Sequence, residues 1–283
     1  MPELPEVETI ARGVHARVRG DRVLEVWFGS HREPLKTPAP RQARGLEGRT
    51  IHAVRRSGKH IVFDLSGPLP SGPSNDESGR VTAQWIVHLG MTGRLLVTTP
   101  DAPVAAHTHA RLTLASGREL RFVDPRRFGR LEFRDLTRGA AFGGPGAEPL
   151  LVQKDQFSNL FRGRRLAIKA ALLNQSLLAG VGNIYADESL FRAGIRPRKA
   201  AGRLTGRELE RLRIALQEVL QHAIRLGGSS VSDYVDADGV RGFFQLEHCV
   251  YQRGGQPCRN CGTLIRRIVV GGRSTHYCPR CQS

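Results

Sequence analysis

Residues 258–281 (CRNCGTLIRRIVVGGRSTHYCPRC) contain two Cys-x2-Cys pairs separated by sixteen residues. Two close pairs with a long spacer are a metal-binding pattern rather than a disulfide framework. Four thiolates in this arrangement typically form a closed tetrahedral site, in which no coordination position is left open for chemistry. The stretch therefore predicts one structural zinc ion, held by Cys258, Cys261, Cys278 and Cys281.

The segment between the two cysteine pairs is predicted to form a β-hairpin. Residues 264–270 and 274–277 flank the dipeptide Gly271-Gly272, which favours a tight primed turn. We expect Arg273 at the tip of this hairpin, facing outward, where it can reach into nucleic acid; a solvent-facing arginine is the alternative. Residues 243–283 contain too few apolar side chains to fold without an additional cross-link such as a bound metal ion.

Upstream of this segment the apolar residues follow helical spacing. The predicted helices span residues 165–175, 185–193 and 205–226. Thr205 and Glu208 give the last of them the pattern of a capping box. Residues 180–183 (GVGN) lie between the first two helices, and backbone N–H groups in such a glycine turn can bind phosphate, with Asn183 adding a side-chain donor. A plain connection between helices is the alternative for this pattern.

The first half of the chain has the pattern of a β-rich domain. From about residue 22 to residue 134 the apolar residues alternate with a period of two, in short runs separated by Gly and Pro, which predicts a sandwich or a barrel. The candidate strands are residues 23–28, 50–55, 60–65, 81–89, 94–98, 111–115, 119–123 and 130–134. Residues 66–79 are expected to be a polar surface insertion.

The fold class is therefore α+β, with four segments along the chain. We expect an N-terminal helix and β-sandwich in residues 1–135, a Gly- and Pro-rich linker in 136–154, a helical domain in 155–242 and a zinc finger in 243–283.

The chain begins with the hexapeptide MPELPE, followed by a helix with Val7, Ile10, Ala11, Val14 and Val18 on its apolar face. Removal of Met1 would leave Pro2 with a free secondary amine, which can attack an electrophilic sugar carbon and become an iminium. An α-amino group has a pKa of about 8, so part of the population is nucleophilic near neutral pH. Glu3 and Glu6 are candidate acid/base groups beside it. The alternative is that Met-Pro is merely a common way to begin a chain.

The charge balance points to a polyanionic partner. The chain has 43 Lys and Arg against 26 Asp and Glu, a formal net charge of +17. Nucleic acid is favoured over a membrane surface, because the sequence has no apolar run of membrane-spanning length and no basic amphipathic tail. With no export signal recognised, we expect a reducing cytoplasm as the compartment.

Two loop motifs contain candidates for insertion into a base stack. Arg126 and Phe128, in DPRRFG (residues 124–129), can wedge into a duplex and fill the space left by an extruded base. Met91, in HLGMTG (residues 88–93), is a further candidate, with a core position as the alternative. Lys59 is a cation near a turn, for which a solubilising surface role is the alternative.

Taken together, the motifs resemble the formamidopyrimidine-DNA glycosylases of the Fpg/Nei family. The segments MPELPEVET, HLGMTG, DPRRFG, VGNIYADESLF and the C-terminal PCxxCG…RSTHYCPxCQ follow the family's order from the first residue to nearly the last. The resemblance implies a bifunctional base-excision enzyme with a β-sandwich, a helix-two-turns-helix domain and a zinc finger, acting as a monomer on damaged double-stranded DNA.

The resemblance also implies roles for individual residues. Pro2 is then the nucleophile that attacks C1′ of an extruded nucleotide, Glu3 acts as acid/base on the deoxyribose, and Glu6 assists. After base loss, β-elimination and δ-elimination cut both sides of the abasic sugar. Lys59 is similar to the family's second essential amine, and Arg273 to its zinc-finger arginine, which binds phosphates and assists the second elimination.

The remaining implied contacts are with DNA. Asn183 resembles the family's phosphate-binding asparagine, and Met91, Arg126 and Phe128 its void-filling residues, with Arg126 facing the orphaned cytosine. Further implied backbone or site contacts are His88, His107, Arg165 and Lys169. Residues 229–241 occupy the place of the lesion-capping loop.

Lesion preference follows from one further position. Leu4, where pyrimidine-specific relatives tend to carry Gly, favours oxidised purines, namely 8-oxoguanine and formamidopyrimidines. The alternatives are a relative specific for oxidised pyrimidines and a non-catalytic zinc-finger DNA-binding protein.

Overall fold

The computed structural model describes residues 1–67, 80–230 and 234–283. The predicted insertion at residues 66–79 therefore lies outside the described residues from position 68 onward. Contacts between Cα atoms divide the chain into two compact units. The first unit comprises Met1–Pro2, Glu6–Gly143 and Ser229–Gly242, and the second comprises Glu3–Pro5, Gly144–Gly228 and Phe243–Ser283.

The first unit is a sandwich of two four-stranded antiparallel sheets, as the period-two pattern predicts. One sheet has the order β2-β3-β4-β8 and the other β1-β6-β7-β5. The strands are β1 (Val23–Phe28), β2 (Thr50–Ser57), β3 (His60–Ser66), β4 (Val81–His88), β5 (Arg94–Thr98), β6 (Thr108–Leu114), β7 (Glu119–Val123) and β8 (Arg130–Asp135). In β3 the alternating residues Ile61, Phe63 and Leu65 are buried, and Phe63 pairs with Trp85 of β4.

Two helices accompany these strands. The helix α1 (Leu4–Val18) buries all five apolar residues that helical spacing predicts. Pro5 lies in its first turn, where a missing N–H leaves no hydrogen bond unmade. The helix α2 (Ala39–Leu46) was not predicted from the sequence; it buries Gln42, whose amide donates to the Thr37 carbonyl at 2.8 Å.

The second unit is helical except for its C-terminal hairpin. Its helices are α3 (Lys154–Phe161), α4 (Ile168–Leu172), α5 (Asn183–Arg192) and α6 (Gly206–Arg225). The predicted capping box at the start of α6 is confirmed, with both reciprocal hydrogen bonds between Thr205 and Glu208 present. The helix predicted over residues 165–175 is too long, because Ala167 pairs with Ala200 in an isolated β-bridge and helical structure begins only at Ile168.

The C-terminal hairpin has the predicted geometry. Its strands are β9 (Arg266–Val270) and β10 (Arg273–Tyr277), and Val270 pairs with Arg273 across the turn. Gly271 and Gly272 have φ angles of 57° and 73°. Positive φ at both central residues is the signature of the primed turn that matches the twist of the flanking strands.

Within the described part of the chain, no helix combines the length and the apolar character that crossing a membrane requires.

Candidate active site, nucleic-acid interface and metal centre

The N-terminal residues that carry the candidate chemistry are buried. Pro2 is buried behind Met1, which is 49% exposed and whose carbonyl carbon is bonded to the Pro2 nitrogen. Glu6 is also buried, and its Oε1 accepts the backbone N–H of Ser229 at 2.7 Å. The Tyr234 hydroxyl donates to the Glu6 carbonyl at 3.4 Å, and burial, together with the Glu6 charge, raises the pKa of Tyr234. The first turn of α1 therefore anchors both described ends of the segment predicted to cap the lesion.

The Glu3 carboxylate lies at the N-terminus of α5. It is buried, and it accepts the backbone N–H groups of Ile184 at 3.2 Å and Tyr185 at 3.5 Å. These N–H groups lack partners within the helix, and the helix dipole favours a negative charge there. The next residue, Leu4, donates its N–H to the Gly180 carbonyl at 3.0 Å. The first amides of α5 thus hold the Glu3 carboxylate, and the GVGN turn holds the Leu4 backbone; the sequence alone indicated neither contact.

Gly182 leaves the space that Glu3 occupies. A Cβ built at Gly182 would overlap the Glu3 carboxylate, although the backbone there (φ −131°, ψ −166°) is open to any residue. We expect Gly182→Ala to displace the carboxylate without straining the backbone. It should slow the base excision that the resemblance implies by roughly 100-fold, since misplacement of an acid/base group by about 1 Å can cost that much. Single-turnover excision rates measure the effect.

Gly206→Ala is the matched control for this variant, because a Cβ at Gly206 meets no atom within 4 Å. Wild-type rates in Gly182→Ala would show that the placement of Glu3 does not matter for excision.

Lys59 lies at the tip of the β2–β3 hairpin. Ser57 pairs with His60 across a two-residue turn of Gly58 and Lys59, and Lys59 is half-buried rather than fully exposed. His60 in turn pairs with His88 at the end of β4, and the two rings are 4.8 Å apart. Burial, followed by the charges of His60 and Lys59, lowers the pKa of His88 to about 4.

His88 is therefore neutral near pH 7, and its tautomer is defined by a neighbour. Its Nδ1 accepts the Gly90 N–H at 3.2 Å, which leaves Nε2 as the hydrogen-bond donor. A neutral imidazole with this tautomer can still donate one hydrogen bond to a phosphate oxygen. His88 also lines a pocket of about 330 Å³, together with Lys36, His60, Ile86, Phe128, Arg130 and Glu132.

The three residues predicted to insert into DNA are all exposed. Met91 is 41% exposed, which excludes the alternative of a core methionine. Phe128 is 49% exposed, and the guanidinium carbon of Arg126 lies 4.9 Å from its ring centroid. His107 is exposed on a nearby loop with φ of 63°, and its carbonyl accepts the Asp124 N–H at 3.0 Å. The sandwich therefore presents an apolar and cationic group of side chains to solvent.

In the second unit, Asn183 contacts the C-terminal hairpin. It is the first residue of α5, and its Nδ2 donates to the Ser274 carbonyl at 3.0 Å. Ser274 is next to Arg273, which is exposed at the start of β10 beside the Gly271-Gly272 turn. The structure thus brings two of the predicted phosphate contacts to the same turn of the hairpin.

Lys169 is buried, unlike the exposed Arg165. Its ammonium lies 2.7 Å from Asp187 Oδ1 and donates to the Ser274 carbonyl and to Thr275 Oγ1. Burial lowers the pKa of Lys169, and Asp187 opposes that effect. In this structure the ammonium therefore holds the hairpin backbone, and the backbone or site contact with DNA that the resemblance implies for Lys169 stays a prediction.

Sequence reasoning also missed two neighbouring acids in α5. Asp187 accepts the His276 N–H at 2.9 Å, in addition to its ion pair with Lys169. Glu188 accepts three successive backbone N–H groups, at residues 249, 250 and 251, over 2.8–3.0 Å. Two adjacent acids within the mostly apolar run at residues 184–191 (IYADESLF) are a signal that could have identified this anchor.

The four predicted zinc ligands converge. All four sulfur atoms lie within 4.8 Å of one another, and the separations between individual pairs include 3.4, 3.5 and 3.9 Å. A tetrahedron with metal–sulfur distances of about 2.3 Å has edges of about 3.8 Å, so the cluster fits one zinc ion. The cysteines are not joined by disulfides. The only apolar cluster among the described residues that involves these cysteines is small, with Phe191, Val250 and Ile265 as its other buried members.

Three protein families match successive parts of the chain. The formamidopyrimidine-DNA glycosylase N-terminal domain matches residues 1–131, the formamidopyrimidine-DNA glycosylase H2TH domain matches residues 145–235, and the zinc finger found in FPG and IleRS matches residues 255–283.

Curated relatives and solved structures agree with these matches. Formamidopyrimidine-DNA glycosylases from Solibacter usitatus and Thioalkalivibrio sulfidiphilus are each 44% identical to this chain, covering 100% of it and 99% and 100% of their own lengths. A Lactococcus lactis Fpg mutant in complex with Fapy-dG-containing DNA is similar in structure, with a TM-score of 0.85, 33% identity and full coverage of both chains. The wild-type Lactococcus lactis Fpg bound to DNA containing an oxidised pyrimidine gives a TM-score of 0.84 at 33% identity, again with full coverage. The chain therefore belongs to the formamidopyrimidine-DNA glycosylase family of DNA-repair enzymes.

Proposed function

We propose that this chain removes oxidised purines, namely 8-oxoguanine and formamidopyrimidines, from duplex DNA and then cleaves the abasic strand. The observation that carries the proposal is the placement of Glu3. This carboxylate follows Pro2 in the sequence and is buried against the amides that begin α5. A carboxylate held in this way is preorganised for proton transfer, and its neighbour in the sequence is the proposed nucleophile.

The proposed reaction uses Pro2 as a nucleophile once Met1 has been removed. The amine attacks C1′, the bond from C1′ to the base breaks, and the base leaves with a proton. Glu3 donates a proton to the ring oxygen as the sugar opens, which leaves an iminium between Pro2 and C1′. Glu6, buried in the first turn of α1, assists this transfer.

Strand cleavage follows from the iminium. Loss of a proton from C2′ expels the 3′ phosphate by β-elimination, and a second proton loss expels the 5′ phosphate by δ-elimination. Lys59 and Arg273 neutralise these leaving phosphates, and Asn183 adds a hydrogen bond to the backbone. The zinc ion, bound by the four cysteines, holds the turn that carries Arg273 and takes no part in bond breaking.

Extrusion of the damaged base precedes the chemistry. Its sugar carbon is not accessible while the base is stacked, so the nucleotide must leave the duplex. Met91, Arg126 and Phe128 fill the space that remains, with Arg126 opposite the orphaned cytosine. Their exposure supports this role, as does the formal net charge of +17 for binding the phosphate backbone. We also propose that the protein acts as a monomer, in the bacterial cytoplasm where the nucleoid lies.

One observation favours oxidised pyrimidines as a second candidate substrate. The similar Lactococcus lactis Fpg has been solved with DNA that contains an oxidised pyrimidine. Leu4 argues for purines, and here it is a fully buried member of the core of the second unit.

Borohydride trapping across a panel of lesions tests the proposal. Borohydride reduces the iminium to a stable amine, so each productive substrate leaves the protein covalently attached to DNA. We expect the adduct to form faster with 8-oxoguanine opposite cytosine than with thymine glycol, and not at all with undamaged duplex. The reverse order would assign the chain to oxidised pyrimidines, and the absence of any adduct would reject the lyase mechanism.

A further inference from the structure

Asp124 is the first residue of one of the two loops that carry the exposed residues Met91, Arg126 and Phe128. One loop joins β4 to β5 and the other joins β7 to β8, so each crosses from one sheet of the sandwich to the other. The strand ends that these loops connect are paired, since His88 is opposite Arg130 and Arg94 is opposite Val123. The two loops therefore emerge side by side from one end of the sandwich.

The Asp124 carboxylate binds both loops. Its side chain is fully buried. Oδ1 accepts the Thr92 hydroxyl at 2.6 Å and the Arg126 N–H at 3.3 Å, while Oδ2 accepts the Gly129 N–H at 2.7 Å. The donors are the neighbour of Met91, Arg126 itself and the neighbour of Phe128. One buried carboxylate thus binds either Met91, Arg126 and Phe128 themselves or a residue next to them in the sequence.

The backbone of Asp124 is held as firmly as its side chain. Its N–H donates to the His107 carbonyl at 3.0 Å, and its carbonyl oxygen lies 2.9 Å from His109 Nε2. The same carbonyl accepts the Arg127 N–H at 3.2 Å, which closes the turn that Pro125 begins. These contacts fix Asp124 in the β7–β8 loop and leave its carboxylate little freedom to follow the β4–β5 loop if that loop moves alone.

Close packing also joins the loops directly. Gly90 has φ of 63°, and a Cβ there would overlap the backbone of Phe128 and Gly129. The two loops therefore pack against each other with no room for an added side chain at this contact. We propose that Asp124 is a positioning residue that makes Met91, Arg126 and Phe128 enter DNA as a single wedge; this inference rests on the proposed function, in which those residues fill the space left by the extruded base.

The experiment compares two steps in Asp124→Asn and in the wild type. An asparagine side chain has only one acceptor oxygen and places an NH₂ group against a backbone N–H or the Thr92 hydroxyl, so the two loops lose their common acceptor. Wedge insertion is followed by stopped-flow fluorescence of 2-aminopurine placed beside 8-oxoguanine opposite cytosine. We expect insertion and excision to slow by about 10- to 100-fold, the range for losing hydrogen bonds to a charged group. Cleavage of a preformed abasic site, which has no base to extrude, should be much less affected.

Thr92 provides a variant that disturbs the fold less. Thr92→Val removes the hydroxyl that Asp124 accepts, and Thr92→Ser keeps it. We expect slower insertion in the valine variant and wild-type insertion in the serine variant, a rescue that a general packing defect would not show. Asp135→Asn is the matched control, because Asp135 also accepts a threonine hydroxyl and a backbone N–H, from Thr137, in an exposed turn away from the wedge.

The outcomes separate this inference from the proposed function. A wild-type protein that does not excise 8-oxoguanine would reject the function itself. A wild type that excises it, with Asp124→Asn or Thr92→Val inserting equally fast, would overturn the role of Asp124. Equal slowing of insertion and of abasic-site cleavage in both variants would also overturn it, because that result describes a damaged fold rather than a misplaced wedge.

Discussion

Retention of Met1 is expected to abolish borohydride trapping and base excision together. The nitrogen lone pair of Pro2 is delocalised into the peptide bond while Met1 is attached, so it cannot attack C1′. Removal of Met1 converts the same atom into a secondary amine with an ordinary pKa of about 8, which is partly neutral near pH 7. A leucine inserted between Met1 and Pro2 would prevent normal processing, because initiator methionine is usually removed only before small residues. Intact mass and trapping yield, measured on the same sample, test the prediction.

Two controls make the loss interpretable. Pro2→Gly keeps a free terminal amine and should trap more weakly than the wild type, but measurably. Gel-shift binding to a duplex with an abasic-site analogue should persist in the inserted variant, because its DNA-binding residues are intact. Full trapping by a protein whose mass includes Met1 would contradict an N-terminal nucleophile. Lys59 would then be the candidate nucleophile.

The sequence predicted most of the sandwich because alternation is a local signal. The bounds of β1, β5 and β7 agree with the candidate strands to the residue. The helix α2 escaped prediction because Pro38 and Pro40 surround its start and it has only eight residues, so no helical period develops. Its position depends on tertiary packing, since a Cβ at Gly45 would overlap the ring of Phe133.

The parts of the candidate site that consist of short sequence motifs were predictable. The parts that depend on contacts between residues far apart in the sequence were not. The cysteine pairs, the Gly271-Gly272 turn and the exposed Arg126 and Phe128 follow from motifs. The attachment of Glu3 to Ile184 joins residues 181 positions apart, which no sequence period reveals. From the sequence alone, Lys169 is expected to be a surface cation. The structure shows that it is buried in an ion pair with Asp187.

Removal of zinc is expected to unfold the C-terminal segment and to weaken DNA binding. Structural zinc sites contribute apparent free energies of about 10–16 kcal/mol, comparable with the whole stability of a typical domain at about 5–15 kcal/mol. The small apolar cluster around Cys258 and Cys278 cannot replace that contribution. Hydrogen exchange should therefore show loss of protection across residues 243–283, with protection of the sandwich retained. Loss of the hairpin also removes Arg273, and we expect affinity for damaged duplex to fall by about 10- to 100-fold, the value of one or more charge-assisted hydrogen bonds.

Cys249→Ser is the control for this experiment. Cys249 is outside the sulfur cluster and lies in contact with the Glu247 carbonyl, so the substitution changes a cysteine of the same segment without removing a zinc ligand. It should retain one zinc per chain and near-normal affinity, whereas Cys278→Ser should lose both. The anchors from Lys169 and Asp187 are hydrogen bonds to the hairpin backbone, and they require the hairpin to be folded already. Glu188 holds only residues 249–251, upstream of the hairpin. If the segment stayed protected after stoichiometric zinc loss, these anchors and not the metal would hold it, and the dependence of DNA binding on zinc would be wrong.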